Sequence, residues 1–473
     1  MSHKASIPLC VDLDGTLVKI DTLHQALFLL LRRDFLSIFR IPGWYMKGRA
    51  YLKDQVMQRV ALDAPALPYN KTFLKWLRKE HAGGRKLVLA TASNVRTAEA
   101  VADHLGLFSE TIASCAEHNM RHNRKLEAIR ERFDRFAYAG NDAADFSLWN
   151  AAEEVILVNP SRAAKKAYAD KADHIFEERR PLFRMLIKAM RCRQWLKNVL
   201  IFSPMLLAHR FTDPSCIIDS LLAFFSFSLA ASTIYILNDL FDLSADQHHP
   251  RKCTRPFAAG ELPITLGILM IPILFAASIG VGLFLSPAFT GVILTYYVIT
   301  TLYSWRLKQI PIADVLTLAI LYTMRIFAGS VSTGNPSSEW FIEFSIFLFL
   351  SLALVKRVSE LREMENEEAI DHTKRERGYR RDDLPLLQSF GTASGYIAVF
   401  VFTMYLSSDK VAQLYSRPHI LWFFCPLLLY WITRIWHLAW HGKVDDDPLA
   451  FAAKDPQTYL VGAIGVIAIL LAM

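Results

Sequence analysis

The sequence predicts an α/β soluble domain with a helical cap, followed by an all-α membrane domain of about nine spans. Three observations predict this. Before about residue 185, short apolar runs alternate with charged, helix-like segments; after it the apolar runs lengthen to bilayer size. The basic residues between the long runs fall almost entirely on one side. Composition agrees: 53% of the 473 residues are apolar and 21% charged, with mean hydropathy +0.23, whereas soluble domains sit near roughly 45–50% and 25%. Thirty-one Phe and ten Trp exclude a disordered chain. Six scattered Cys with no CxxC pair exclude a disulfide scaffold and a zinc site. A net charge of +8 is explained by basic loops on one membrane face, so no nucleic-acid partner is expected. Residues 1–6 lead into a strand-like run, and no secretory signal is expected.

In the first part, residues 7–11, 86–90, 136–139 and 155–158 read as buried strands followed by turn or helix signals, the pattern of a mostly parallel sheet. Residues 21–80 interrupt that rhythm with basic, aromatic, helical text, read as a cap. The expected domains are 1–180, an interfacial linker helix over 181–193, and 194–473. Within the last, candidate spans are 195–209, 216–237, 264–285, 288–304, 312–332, 340–355, 391–407, 418–437 and 457–473. If the N-terminal domain is cytoplasmic, the four loops on its side carry fifteen Lys and Arg and the four opposite loops three. That asymmetry predicts an inner (cytoplasmic) membrane protein with its soluble domain and polar loops in the cytoplasm. Residues 179–193 mix apolar and basic side chains, as a helix along the interface would.

Asp12 and Asp14 follow the first strand at i and i+2, so both leave the strand tip on one side. There one carboxylate attacks phosphorus while the other handles the leaving-group proton; Gly15 permits the sharp turn. An ordinary acidic turn is the competing reading. Three further segments lower its weight: Thr91 ends a second strand with a hydroxyl suited to a phosphate oxygen, Lys125 lies in the basic stretch 121–125, and Asp142 and Asp145 follow another strand, spaced to hold Mg²⁺. Together these resemble the haloacid-dehalogenase-like phosphatases. The resemblance implies Asp12 as nucleophile, Asp14 as general acid/base, Thr91 and Lys125 on the phosphoryl group, and Asp12 with Asp142 on Mg²⁺, supported by Asp145. Arg121 and Arg124 compete with Lys125 for its role, and a catalytically dead domain is the minority reading.

After the second span come Asn238, Asp239, Asp242 and Asp246, then His249, Lys252 and Arg255. At spacings of three and four the three carboxylates share one helix face, and Mg²⁺ bridging to a diphosphate would relieve their repulsion. A solvated acidic helix end is the plainer reading, but charge continuing directly from an apolar span is costly. This half resembles the UbiA-type intramembrane prenyltransferases, and most of all their polyprenyl-phosphate phosphoribosyltransferase branch, through the run 191–198, the stretch 238–260, Tyr303-Ser304, Lys308, Asp314, Arg325, Lys356-Arg357 and Glu360-Leu361.

The resemblance implies Mg²⁺ on Asp239, Asp242 and Asp246, with phosphate contacts from Lys197, Lys252, Arg255 and Arg325, and substrate contacts from Asn238, His249, Lys356 and Arg357. For Lys356, Arg357 and Glu360, snorkelling at the end of a span competes evenly with phosphate binding. A second DxxxD cluster is missing, and residues 367–371 offer only ExxxD. The implied activity is transfer of 5-phosphoribosyl from phosphoribosyl diphosphate to a polyprenyl phosphate, with the phosphatase domain removing the 5-phosphate. The alternative is prenyl transfer from a prenyl diphosphate to an aromatic acceptor; a rival of another class is a lipid-handling protein whose only chemistry is the phosphatase. Self-association as a homo-oligomer stays open. His437 and His441 read as interface residues, not metal ligands.

Overall fold

A computed structural model describes residues 7–115, 120, 123–178, 180–366, 378–444 and 448–473. The chain divides into two compact units, one of residues 1–191 with 235–271, the other of 192–234 with 272–473. In the first unit the order is β1 (Leu9–Val11), α1 (Thr22–Arg33), α2 (Ile41–Met46), α3 (Arg49–Met57), α4 (Lys71–Ala82), β2 (Leu87–Asn94), α5 (Val95–Leu105), β3 (Glu110–Ser114), α6 (Asn123–Arg130), β4 (Ala137–Gly140), α7 (Phe146–Trp149), β5 (Glu154–Val158), α8 (Arg162–Tyr168), β6 (His174–Phe176) and α9 (Leu182–Ala189). The six strands form one parallel sheet in the order β3-β2-β1-β4-β5-β6.

Alternation along the strands buries both faces. Leu9, Val11, Leu87, Leu89, Ala137, Ala139, Ile156 and Val158 fill one layer. Cys10, Val88, Ala90, Tyr138, Val155 and Leu157 fill the other. A sheet covered by helices on both sides needs such continuous apolar runs. The four strands read from the sequence are β1, β2, β4 and β5. The sheet has two more, β3 and β6, whose polar, partly exposed residues at the edges gave no apolar run. Between β1 and α4, helices α1 and α3 share a small core of Ala26, Leu30, Leu52, Val56, Met57 and Val60. This is the α/β architecture with a helical cap that the sequence predicts.

The remaining helices are α10 (Ser203–Leu207), α11 (Pro214–Phe241), α12 (Leu243–His248), α13 (Ile264–Leu285), α14 (Pro287–Trp305), α15 (Ala313–Thr333), α16 (Glu339–Asn366), α17 (Leu384–Leu406), α18 (Asp409–Leu414), α19 (Phe424–Trp440), α20 (Pro448–Ala452) and α21 (Pro456–Ala472). Eight of the nine expected spans correspond to a long helix. The first does not: residues 192–202 form 3₁₀ turns that run into the short α10. Among the described residues five helical segments are long and apolar enough to cross a bilayer, over Pro214–Phe241, Ile264–Leu285, Ala313–Thr333, Arg381–Leu406 and Pro418–Trp440. The protein is a multi-pass membrane protein, all-α in this part. All six cysteines are free thiols.

One close approach is decisive for packing. A Cβ on Gly329 of α15 would lie 2.0 Å from the carbonyl oxygen of Ile201 and 2.8 Å from its carbon. Backbone cannot step aside as a flexible side chain does, so overpacking here costs about 1–3 kcal/mol. Gly329→Ala should therefore lower the thermal midpoint in detergent, whereas Gly291→Ala, with nothing within 4 Å of the new carbon, should leave it unchanged.

Candidate functional site

Parallel strands deliver their C-terminal tips to one edge, and the phosphatase-type residues collect there. Asp12 follows β1 and its N–H donates to the Ala139 carbonyl at 3.0 Å. Gly15 takes φ +73°, and a Cβ on it would meet Asn141 Nδ2 at 2.2 Å. The positive φ is what favours glycine at this turn, with the Asn141 side chain lying against it. Lys125, buried on α6, donates to Asp12 Oδ1 at 3.0 Å and to the Tyr138 hydroxyl at 2.8 Å. That hydroxyl donates to Asp145 Oδ1 at 2.9 Å, and Asp145 Oδ2 accepts the N–H groups of Asn141 (3.0 Å) and Asp142 (3.2 Å).

Asp14 faces a second set. It accepts the Thr22 N–H at 3.0 Å from the start of α1, together with the Ser93 hydroxyl. Thr91 Oγ1 accepts the Ser93 N–H at 3.0 Å and so shapes the end of β2. Burial, reinforced by Asp21, pushes the Asp14 carboxyl up to about 7, against the hydrogen bonds from Ser93 and Thr22. Burial also raises Asp12, opposed by Lys125. For Lys125, burial works against the ammonium, but Asp12 and Asp145 outweigh it and hold the group charged. Asp12 has a cation as partner and Asp14 only neutral donors, a difference that suits a nucleophile and an acid.

The tip thus brings together Asp12, Asp14, Thr91 and Lys125. Arg124 is exposed, and Arg121 lies outside the described residues. Asp145, expected beside Asp142 on Mg²⁺, turns inward and caps its own loop, while Asp142 is exposed with one oxygen on the Ala143 N–H at 2.8 Å. Among the described residues no three His, Cys, Asp or Glu side chains are gathered as a metal set. The hard oxygens of Asp12 and Asp142, from adjacent strand tips, nonetheless fit Mg²⁺, which fills its remaining positions with water. Ser93, Tyr138 and Thr22 carry no sequence signal of their own and take on a role only through their partners.

The aspartate loop belongs to the same compact unit. Backbone bonds from Asp242 to the Asn238 carbonyl and from Asp246 to the Asp242 carbonyl, both 2.8 Å, carry a helical path from α11 into α12. Asp239 and Asp246 are each 2% exposed. Arg255 Nη1 bridges them, 2.6 Å from Asp246 and 3.3 Å from Asp239. Arg191, whose guanidinium lies 4.9 Å over the Tyr235 ring, also pairs with Asp239. Arg255, expected on a substrate phosphate, is here the counter-ion of two carboxylates. Asn238, Asp242 and Lys252 are half-buried. His249 Nδ1 accepts the N–H groups of Arg251 (3.1 Å) and Lys252 (3.3 Å), forming the turn that returns Arg255 to the aspartates.

In the other unit Arg325 on α15 donates to Asn198 Oδ1 at 2.8 Å and to the Leu321 carbonyl. Its guanidinium sits 5.2, 5.6 and 5.5 Å from the rings of Phe227, Tyr296 and Tyr322. Lys197 lies 5.8 Å over the same Tyr322 ring. Arg357 neither snorkels nor faces an open cleft: 1% exposed, it pairs with Asp314 at 2.8 Å and with Glu360, and Tyr303 donates to Asp314 at 2.8 Å. Lys356 beside it is half-buried. The His437 and His441 rings lie 4.4 Å apart with no metal set around them among the described residues. The ExxxD of 367–371 lies outside the described residues.

Comparison with known proteins adds a family. Residues 199–455 match the UbiA prenyltransferase family. The chain belongs to that family. It is 34% identical over 476 aligned residues to an uncharacterized protein, y4nM, of Sinorhizobium fredii, covering 99% of this chain and 91% of the relative. It is also 34% identical to the decaprenyl-phosphate phosphoribosyltransferase of Mycobacterium tuberculosis, over 37% of this chain and 60% of that enzyme. A UbiA homolog from Archaeoglobus fulgidus bound to DMAPP and Mg²⁺ overlays 60% of this chain and 96% of its own, with 16% identity and TM-score 0.46.

The titration of Asp14 sets a pH limit for phosphatase chemistry. Its raised carboxyl is protonated below about 7, so a step needing the acid form should lose rate as pH rises through that value. Hydrolysis of p-nitrophenyl phosphate across pH 5–9 should show this falling limb. Ser93→Ala removes a bond that stabilises the ionised form, and should move the limb to higher pH.

Proposed function

We propose that this UbiA-family protein is bifunctional. The membrane part transfers 5-phosphoribosyl from phosphoribosyl diphosphate to a polyprenyl phosphate, and the haloacid-dehalogenase-like part removes the 5-phosphate. The observation that carries the transferase reading is the 34% identity with a decaprenyl-phosphate phosphoribosyltransferase. The similarity covers 37% of this chain, so the activity of the whole protein is an inference from it. The phosphatase reading rests on Asp12, Lys125 and Asp14 converging at the strand tips. Residues 1–180, 181–193 and 194–473 then act as phosphatase, interfacial linker and transferase. The positive-inside asymmetry supports an inner (cytoplasmic) membrane location with both sites in the cytoplasm.

In the transfer, an oxygen of the lipid phosphate attacks the anomeric carbon as its bond to diphosphate breaks. The nucleophile is already an anion near neutral pH and needs little help from a base. What the protein supplies is charge compensation for the leaving diphosphate. Asp239, Asp242 and Asp246, which the structure does not gather as a metal set and two of which Arg255 bridges, are the carboxylates of this loop that would hold Mg²⁺, and the ion would supply Lewis-acid neutralisation there. Asn238, Lys252, Arg255 and His249 lie on the same loop, and Lys197, Arg325 and Lys356 are the remaining substrate contacts in this scheme, Arg357 being buried as the counter-ion of Asp314 and Glu360. Arg325 sits among three rings and bonds to the Asn198 side chain.

In the hydrolysis, Asp12 attacks the 5-phosphate phosphorus and the ribose 5-oxygen leaves with the proton of Asp14. Water then cleaves the aspartyl-phosphate while Asp14 takes its proton. Lys125 holds the Asp12 carboxylate and the transferring phosphoryl oxygens, and Thr91 offers its hydroxyl to them. Asp12 and Asp142 would hold Mg²⁺, which would neutralise phosphoryl charge.

Purified protein in detergent with Mg²⁺, a polyprenyl phosphate and ribose-labelled phosphoribosyl diphosphate should move label into the organic phase as lipid-linked ribose without its 5-phosphate. Asp239→Asn with Asp242→Asn should abolish the transfer. Asp12→Asn should transfer at the same rate but retain the 5-phosphate; its unchanged loss would sink the coupling of the two parts. Label entering only from a prenyl diphosphate onto an aromatic acceptor would replace the donor assignment.

A further inference from the structure

The cap carries an apolar surface that neither active site uses. After α1 the chain makes a 3₁₀ turn over Phe35–Phe39 and then α2. Phe35, Leu36, Phe39 and Met46 are 68, 66, 78 and 87% exposed. So many large apolar side chains clustered within twelve residues are rare on a water-facing surface. Arg32, Arg33, Arg40, Lys47 and Arg49 are exposed around them, with Asp34 the one acidic residue over 32–49. An apolar tip rimmed by cations matches a bilayer interface whose headgroups are anionic.

Contacts within the unit run along α1 to the end of α11. Along α1, Thr22 meets Asp14, then Gln25 bonds Gln247 at 3.0 Å, then Phe28 packs on Phe241 with ring centroids 6.4 Å apart. Phe241 is the last residue of α11, a helix long and apolar enough to cross a bilayer. Moving along α1 therefore leads away from the phosphatase residues to the end of a membrane helix, and the apolar turn comes next. We infer that residues 35–46 of the cap insert into the anionic headgroup region of the protein's own membrane.

The test uses the full chain in nanodiscs, with the photoreactive analogue p-benzoyl-phenylalanine replacing the exposed Phe39. Hydrolysis of p-nitrophenyl phosphate first verifies that the cap and sheet are folded. After irradiation, mass spectrometry of the peptide containing position 39 should find phospholipid adducts. Their yield should be several-fold greater in phosphatidylglycerol-containing discs than in phosphatidylcholine discs. Adding Arg32→Gln, Arg33→Gln and Arg40→Gln should remove most of that difference. Cross-linked pairs of the chain would identify the face as a contact between copies and overturn the inference. Absence of lipid adducts in both kinds of disc, with the peptide exchanging amide hydrogens as fast as in detergent, would overturn it too.

Discussion

A carboxylate removed from water has to be given a proton or a cation, and the sites of this protein are arranged around that requirement. Asp12 has Lys125, Asp239 has Arg191 and Arg255, Asp246 shares Arg255, and Asp314 has Arg357. Removing one member of such a pair leaves an uncompensated buried charge, a loss of about 3–5 kcal/mol. The chain therefore carries its cations on elements remote in sequence from the aspartates: α6 for Asp12, the end of the linker for Asp239, and α16 for Asp314. Each pair stitches distant segments together as well as setting charge. Asp14 is the exception. Its partners are an N–H and a hydroxyl, which compensate a negative charge incompletely, and burial lifts its carboxyl to about 7. In the proposed hydrolysis this difference in partners distinguishes the nucleophile from the acid.

The sheet turns this local electrostatics into a site. Because β1 lies between β2 and β4, the residues following three strands converge from both sides of Asp12. Asp145 and Tyr138 hold the loop after β4 from below, through a chain of bonds from Lys125 to the Asn141 and Asp142 amides. The Asn141 side chain of that loop lies against Gly15, so the turn after β1 and the turn after β4 pack on each other. The aspartate loop uses the same economy. His249 caps the turn that brings Arg255 back to two carboxylates nine and sixteen residues earlier in the chain.

Most of this frame was legible because apolar periodicity and strand-tip spacing are written in adjacent residues. β1, β2, β4 and β5 announced themselves by unbroken apolar runs, and the carboxylates after β1 and β4 by their positions. β3 and β6 stayed hidden because edge strands need only one apolar partner and keep polar residues. The roles of Arg191 and Arg255 were hidden for another reason. A cation beside an acidic motif reads equally as a substrate contact or as a counter-ion, and only the distances of 2.6 and 3.3 Å from Arg255 to Asp246 and Asp239 decide. The same ambiguity covered Arg357, where Asp314 had to be found 43 residues upstream. The first span misread for want of length: an apolar stretch that includes Lys197, Asn198 and Pro204 cannot sustain a straight α-helix, and it breaks into 3₁₀ turns and a short α-helix.

Helix α1 gives the unit its mechanical logic. Its contacts at Thr22, Gln25 and Phe28 are three residues apart, so each advances about 4.5 Å along the axis while turning only about 60° around it. One side of a three-turn rod thereby touches the acid of the phosphatase site, the residue after Asp246, and the residue before Asp242. A helix of that length transmits displacement without bending appreciably. Any change in the aspartate loop that moves Phe241 or Gln247 must either break these contacts or move the Thr22 N–H on which the Asp14 carboxylate depends. Loss of that bond would raise the acid further, because burial would then act on Asp14 with one opposing contact fewer.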